Sequence, residues 1–196
     1  MRVLVACEYS GTVRDAFLRH GHDAMSCDLL PSDSGPHYQG DVFDIVRDDW
    51  DLMIAHPPCT HLAVSGARWF KDKADEQREA LYFFDQLWRA DIDRICIENP
   101  VGIASSKICK PTQIVHPYHF GHPVSKATCL WLKGLPELVP TDIVKPEWVT
   151  FPNGKRQSKW YYETSLAPHD QRGHLRSKTF EGIAEAMAQQ WGNATE

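Results

Sequence analysis

Short apolar runs alternate with amphipathic stretches through the first half of the chain, a pattern that predicts strands and helices in turn. The predicted strands are Arg2 to Cys7, Asp23 to Cys27, a third strand ending at Gly40 to Val42, the run that begins at Asp51 and leads into two prolines, and Ile92 to Ile97. The predicted helices are Thr12 to His20, a short helical connection from Val42 to Trp50, and Asp72 to Ala90. Such alternation predicts an α/β fold with a parallel sheet and right-handed crossovers.

The second half of the chain has a different pattern. Val101 to Thr112 is predicted to be a short helix and loop, and Ile114 to Phe120 with Thr128 to Leu132 to be a β-hairpin at the end of the sheet. Trp148 to Tyr162 is interpreted as an irregular or β excursion around Asn153-Gly154, and Thr179 to Trp191 as a closing helix. We expect residues 1 to 196 to form one domain, since this length is typical of a single core.

Composition and charge restrict the possible functions. The chain has no apolar run of 18 residues and no charged and then apolar leader, so we expect a cytoplasmic protein without a membrane segment. Its net charge of −5 argues against coating nucleic acid by bulk electrostatics. Residues 145–178, however, hold seven basic and three acidic residues, a local charge of +4. This basic and aromatic excursion either contacts a phosphate backbone such as that of DNA or is a solvated loop.

Cysteines and histidines are frequent but do not form a recognisable metal motif. The six cysteines include no C-x-x-C pair, and Cys7, Cys27 and Cys96 lie in or at the end of apolar runs, where reduced buried thiols are expected. Five of the ten histidines lie in loops with Pro and Gly, without acidic partners at ligand spacing: His56, His61, His116, His119 and His122. We therefore predict no metal site.

Two predicted strands end in residues that can carry out chemistry. The first leads into Pro57-Pro58-Cys59, and proline ends a strand ladder because it has no N–H to donate. The strand Ile92 to Ile97 ends in Glu98-Asn99-Pro100. Ligands of open α/β sheets bind at the carboxyl ends of the strands. The pattern therefore indicates a nucleophilic thiol facing a carboxylic acid across one pocket.

The first strand, turn and helix indicate a nucleotide site. Glu8 to Gly11 forms the turn, with Ser10 or Thr12 as a possible N-cap of the helix. Asp28 follows about 20 residues later, where a ribose would be held, and Asp41 could accept a hydrogen bond from an exocyclic amine. The alternative for Asp28 is a helix cap or loop carboxylate.

The stretch Ala55-His56-Pro57-Pro58-Cys59-Thr60-His61-Leu62-Ala63-Val64-Ser65-Gly66 resembles the G-G-P-P-C-Q-x-F-S-x-A-G loop of the DNA cytosine-5 methyltransferases, and Glu98-Asn99-Pro100 resembles their E-N-V. The turn at Ser10-Gly11, Asp28, and Gly40-Asp41-Val42 follow in matching order, so the resemblance covers roughly residues 2 to 100. It implies a Rossmann-like, S-adenosylmethionine-dependent methyltransferase fold with a mostly parallel sheet and a C-terminal β-hairpin. It also implies a short, phage-like member without a large target-recognition domain.

The same resemblance implies roles for individual residues. Cys59 would add to cytosine C6, which activates C5 to accept a methyl group. Glu98 would hold the base at N3 and the exocyclic amine, with a pKa raised by a dry pocket, while Asn99 would orient the Cys59 loop. Lys126 would replace the arginine of the family's Q-x-R-x-R segment at the cytosine carbonyl, or is a surface lysine. The residues implied to bind S-adenosylmethionine are Glu8, Tyr9, Ser10, Gly11, Asp28, Leu29, Asp41, Val42 and Pro57.

The chain departs from the family in two places that keep other functions open. The family's D-x-F-x-G-x-G-G motif is replaced by Val5 to Gly11, without the aromatic residue and two of the glycines. Only residues 145 to 176 or so remain to read DNA. A flipped base also needs aromatic surfaces to replace its lost stacking, and Trp69, Tyr118, Trp148 and Trp160 to Tyr162 are available for this. The substrate would be duplex or single-stranded DNA. The alternatives are a transferase for a free pyrimidine nucleotide or another base, or a non-catalytic base-binding module. The oligomeric state is not predicted.

Overall fold

The computed structural model describes residues 1–63 and 74–193, and within them seven strands form one sheet. The strands are β1 (Arg2–Ala6), β2 (Asp23–Asp28), β3 (His37–Gln39), β4 (Leu52–Ala55), β5 (Ile95–Pro100), β6 (Gln113–Val115) and β7 (Thr128–Lys133). Their order across the sheet is β3-β2-β1-β4-β5-β7-β6. Strands β1 to β5 are parallel, whereas β7 runs antiparallel to both β5 and β6. This arrangement confirms the predicted α/β, Rossmann-like fold class, with a mostly parallel sheet and a C-terminal hairpin.

Helices cover both faces of the sheet. They are α1 (Thr12–Arg19), α2 (Ala74–Trp88), α3 (Ala104–Lys107), α4 (Lys159–Leu166), α5 (His169–Ser177) and α6 (Glu181–Gly192). One core layer joins α1 and α6 to β1 and β4, and includes the fully buried Phe17 and Trp191. The other layer joins α2 to the opposite face through Phe84 and Leu87. Two-sided burial explains why the central strands are continuous apolar runs.

Several predicted boundaries were wrong. The third strand is His37–Gln39 and ends before Gly40, where it was expected to continue to Val42; Val42–Asp44 instead forms a 3₁₀ turn. Strand β6 ends at Val115 rather than Phe120, because Pro117 starts a second 3₁₀ turn and cannot donate to a ladder. The predicted loop from Thr60 to Phe70, with Ser65-Gly66 and Trp69, lies largely outside the described residues.

The basic excursion, defined as residues 145–178, combines a hairpin with two short helices. The antiparallel strands β8 (Trp148–Thr150) and β9 (Arg156–Ser158) flank Asn153-Gly154 as expected. Trp160 to Tyr162, by contrast, lie on α4 and not in an irregular or β segment. The helices α4 and α5 carry this aromatic and basic surface back towards the carboxyl edge of the main sheet. Within the described ranges, no helix is both long enough and apolar enough to cross a membrane.

Candidate active site

Neighbouring strands place the loop containing Cys59 beside the Glu98 segment. Strands β4 and β5 are paired in parallel up to Ala55 and Ile97, so the next residues, His56 and Glu98, emerge side by side. The chain then turns at Cys59, whose carbonyl oxygen accepts from the backbone N–H groups of the residues at positions 62 and 63, over 3.0 and 2.9 Å. The parallel register therefore brings two distant sequence motifs to one edge of the sheet.

Two residues hold this loop in place. The Asn99 side chain is buried, and its Nδ2 donates to the Pro57 carbonyl oxygen over 2.8 Å. Gly102 lies against the backbone of Leu62, and a Cβ at this glycine would come within 2.2 Å of the Leu62 carbonyl oxygen. Asn99 thus contacts the backbone of the loop that precedes Cys59, and its orienting role stays a prediction.

His56 and Glu98 form a buried pair. His56 Nδ1 lies within hydrogen-bond distance of Glu98 Oε2, at 3.1 Å, and the two side chains are 9% and 15% exposed. His56 Nε2 is also buried, and among the described residues it has no hydrogen-bond partner. This pair was not expected, because the sequence interpretation placed His56 in a loop without an acidic partner.

The pair reverses the expected protonation of Glu98. Burial alone would raise the pKa of this carboxyl, but the hydrogen bond from His56 and the charge of Lys126 outweigh burial and lower it. Conversely, burial would lower the pKa of His56, but the hydrogen bond and charge of Glu98 raise it. The expectation of a raised Glu98 pKa is therefore wrong for the free protein, because the neighbouring imidazole and the Lys126 charge lower this pKa.

Cys59 is an exposed, free cysteine at the mouth of the same pocket. The pKa of its thiol is raised above the ordinary value, first because neighbouring protein atoms partly desolvate it and second because Glu98 is negatively charged. The Lys126 ammonium opposes this shift. The thiol is therefore the main form at neutral pH, and forming the nucleophilic thiolate requires removal of its proton.

Lys126 closes the opposite side of this pocket. It is half-buried, and its Nζ donates to the Arg176 carbonyl oxygen over 3.1 Å and lies 5.7 Å from the Trp160 ring centroid. A cavity of about 400 Å³ is lined by His56, Cys59, Glu98, Asn99 and Lys126, together with Trp160, Tyr161 and Arg176 of the basic excursion. We call it the base pocket. The structure thus brings together all four residues predicted to be catalytic.

The residues predicted to bind the cofactor divide into two groups. Asp28, Leu29, Asp41 and Val42 line a second cavity of about 430 Å³, which we call the acidic pocket. It meets the base pocket at Pro58, a residue that both cavities share. Pro57, in contrast, lines the base pocket. The first four of these residues therefore line one cavity together, whereas Pro57 lies at the other.

The first turn has a structural role that the sequence did not indicate. Helix α1 begins after Gly11, whose φ of 71° suits glycine, and Ser10 Oγ makes only a long contact of 3.4 Å with the Thr12 N–H. The buried Glu8 is the main cap, because its carboxylate accepts from the N–H groups of Val13 and Arg14 over 2.7 and 3.2 Å. Ser10 Oγ in turn donates to Glu8 over 3.3 Å.

Tyr9 connects this turn to the basic excursion. Its hydroxyl group lies 2.9 Å from His174 Nδ1 and 3.1 Å from Ser177 Oγ, and its ring stacks on His174 at 5.0 Å. Glu8, Tyr9, Ser10 and Gly11 do not line the acidic pocket. Their predicted contact with a cofactor thus remains a prediction.

The sequence indicated no pocket role for two histidines and one glutamate that line the two pockets. His61 and Glu79 line the acidic pocket, and His56 lines the base pocket. Aligning the ends of the two predicted parallel strands would have placed residue 56 beside residue 98 and indicated the ion pair. Glu79 offered no comparable signal, since an acidic residue on an exposed helix surface is common. In residues 1–63 and 74–193, no group of three or more His, Cys, Asp or Glu residues could hold a metal ion.

No protein-family model and no curated protein matches the chain. Solved structures that resemble it include the following two. One, from E. coli, is described as a DNA modification methyltransferase encoded within a prophage, with 16% identity and a TM-score of 0.48 over 84% of this chain. The other is a mutant of Spodoptera frugiperda DNMT2, with 17% identity and a TM-score of 0.46 over 75% of this chain. The chain spans 63% and 57% of those proteins.

Proposed function

We propose that the protein is a compact methyltransferase that modifies cytosine C5 in DNA, with Cys59 as the nucleophile and S-adenosylmethionine as the methyl donor. The observation that carries this proposal is the base pocket, in which Cys59, Glu98, Asn99 and Lys126 surround one cavity at the carboxyl edge of the sheet. A second cavity of ligand size shares Pro58 with it, an arrangement that would suit two ligands bound side by side.

The base pocket supplies what a cytosine ring needs for activation. Cytosine is a weak carbon nucleophile, and addition of the Cys59 thiolate at C6 would convert C5 into an enamine-like carbon. A carboxyl group at the position of Glu98 matches N3 and the exocyclic amine, and the Lys126 ammonium can face the ring carbonyl. Asn99 contributes by fixing the backbone of the Cys59 loop through Pro57.

The acidic pocket fits the charge of S-adenosylmethionine. Its described lining includes Asp28, Asp41 and Glu79 but neither lysine nor arginine, so it favours a positively charged sulfonium over the phosphates of a nucleotide. The apolar walls from Leu29, Val42 and Phe83 suit an adenine ring. Asp28 and Asp41 would hold the ribose and the adenine amine. When bound there, S-adenosylmethionine supplies the methyl group.

The basic excursion supports DNA as the substrate. Arg156 lies 4.8 Å from the Trp148 ring centroid and Arg176 lies 4.0 Å from that of Tyr161, which combines cations with aromatic faces. Trp160 and Tyr161 also line the base pocket. Aromatic faces can stack on bases and cations can pair with phosphates, so this surface suits a strand from which one base is turned into the pocket.

The direct test is mass spectrometry of DNA incubated with the protein and isotopically labelled S-adenosylmethionine. We expect the label at cytosine C5, and a covalent adduct on the Cys59 peptide when the DNA contains 5-fluorocytosine. A reaction with deoxycytidine monophosphate but not with DNA would instead identify a nucleotide-modifying enzyme. Bound S-adenosylmethionine without label transfer to either substrate would contradict methyl transfer.

Asp28→Ala is expected to weaken S-adenosylmethionine binding more than it slows the chemical step. Asp28 lines the acidic pocket, and its Oδ1 already accepts from the Leu30 N–H over 2.9 Å, which leaves Oδ2 for a ribose hydroxyl group. Loss of a hydrogen bond to a charged acceptor corresponds to roughly a tenfold to hundredfold rise in Kd. Isothermal titration calorimetry would measure this Kd. The control is Asp75→Ala at an exposed position, which should leave the Kd unchanged. Unchanged affinity would reduce Asp28 to its loop contact.

A further inference from the structure

His56 occupies a position that the resembling methyltransferase loop fills with glycine. Its imidazole is buried beside the carboxylate assigned to the base, with Nδ1 3.1 Å from Glu98 Oε2. Both residues line the base pocket. This chain therefore places a second titratable group directly behind the acid that faces the substrate, and the resemblance offers no role for it.

The other side of the imidazole is unpaired. His56 Nε2 is buried without a hydrogen-bond partner among the described residues, although buried polar atoms are normally satisfied. A histidine that served only to anchor Glu98 would gain from a partner for both nitrogens. A histidine that releases and regains a proton at Nδ1 requires a strong contact only at that nitrogen, and His56 Nδ1 faces Glu98.

We propose that His56 supplies, through Glu98, the proton that cytosine N3 takes up when Cys59 adds to C6. This inference rests on the proposed function and deepens it by adding a positioning residue that acts through Glu98. It also explains how Glu98 can be ionised in the free protein and yet serve as an acid in the complex, since its proton is stored on the neighbouring imidazole.

The proposed step balances in atoms and charge. The Cys59 thiol first releases its proton to solvent, to which it is exposed, and the sulfur electron pair then forms the bond to C6. The C5–C6 double-bond electrons shift through the ring to N3, which takes a proton from Glu98 while Glu98 takes one from His56 Nδ1. Glu98 thus ends as a carboxylate and His56 as a neutral imidazole. Elimination of Cys59 later returns the proton along the same path.

Charges from several elements control this proton. Glu98 at the end of β5 and Glu8 after β1 raise the pKa of His56, whereas Lys126 before β7 lowers it, as burial does. Cys59 lies on the same loop as His56. The net shift is upward, so the stored proton is present below the raised pKa and is lost as the pH rises through it. The activity should therefore decline on the alkaline side when this pair loses its proton.

The test is exchange of tritium from C5 of cytosine in DNA labelled at every cytosine, measured across pH without a methyl donor. Exchange requires the C6 adduct and N3 protonation but no methyl transfer. We expect His56→Asn, which keeps a donor near the Nδ1 position, to lower exchange about a hundredfold and to move the alkaline decline to lower pH. His20→Gln is the matched control, because His20 pairs with Glu185 on the protein surface, and it should leave exchange unchanged.

A spectroscopic measurement separates this inference from the proposed function. Nitrogen-15 NMR of the wild-type protein should show His56 titrating above the usual histidine range, and Glu98→Gln should remove that elevation. An ordinary titration, or a wild-type pH profile in His56→Asn, would overturn the proton relay. Exchange without methyl transfer would contradict the proposed methylation and leave the relay standing. A wild-type protein that catalyses neither tritium exchange nor methyl transfer would overturn both the proton relay and the proposed methylation.

Discussion

Replacing Cys59 with serine is expected to lower methyl transfer by at least about a thousandfold while leaving the fold unchanged. A hydroxyl group ionises far less readily than a thiol, so serine cannot supply the anion that adds to C6. Cys59 is exposed, and a substitution of one atom there should change the free energy of unfolding by less than about 0.5 kcal/mol. Methyl incorporation and a thermal melt followed by circular dichroism would measure the two effects.

The same prediction has a matched control in another free cysteine. Cys109 is half-buried and lines neither pocket, so Cys109→Ser should retain activity. Alkylation of Cys59 by iodoacetamide should accelerate about tenfold for each pH unit, and should continue to do so above the ordinary thiol pKa, because that pKa is raised. A Cys59→Ser variant with wild-type turnover would exclude the covalent mechanism.

The central sheet could be predicted because its strands are buried on both faces. β1, β4 and β5 appear in the sequence as apolar runs, and β4 is followed by proline, which marks the end of a ladder. Parallel strands end at the same edge of the sheet. Because Cys59 and Glu98 each follow the end of such a strand in the sequence, their convergence could be predicted. β3 was harder to place, because His37–Gln39 is short and polar and is defined only by pairing with β2.

The electrostatics of the site could not be predicted in the same way. The capping role of Glu8 depends on a loop conformation that places its carboxylate at the N-terminus of α1, and no local capping motif marks it. The His56 to Glu98 contact joins residues that are 42 positions apart. Burial by itself would have raised the Glu98 pKa as expected, and only the neighbouring imidazole reverses the sign. Such effects depend on three-dimensional neighbours that periodicity does not reveal.

The contact between the first turn and the basic excursion is another feature that the sequence did not predict. Tyr9 lies in the first turn and His174 on α5, 165 positions later, yet the two rings stack and their polar atoms meet at 2.9 Å. Lys126 reaches the same segment through the Arg176 carbonyl oxygen. The excursion therefore forms part of the wall of the base pocket, whereas sequence composition indicated only a basic surface that could contact DNA.

Replacing Glu98 with glutamine is expected to lower kcat by about a hundredfold to ten-thousandfold with little change in protein stability. The amide keeps the size of the side chain, and its oxygen can still accept from His56 Nδ1. Its NH₂ group can form a hydrogen bond with cytosine N3 but cannot transfer a proton to it. The negative charge that raises the pKa of His56 is also lost, so the imidazole no longer stores the proton.

Kinetics and binding together distinguish this acid role from a structural one. Single-turnover methyl transfer should slow in Glu98→Gln, whereas DNA affinity measured by fluorescence anisotropy should change less than about threefold, because the phosphate contacts are unaltered. Glu185→Gln is the matched control, since Glu185 also pairs with a histidine but on the surface. A Glu98→Gln variant with full activity would show that the carboxylate only positions its neighbours, and the proton would then have to reach N3 by a route that includes neither member of the pair.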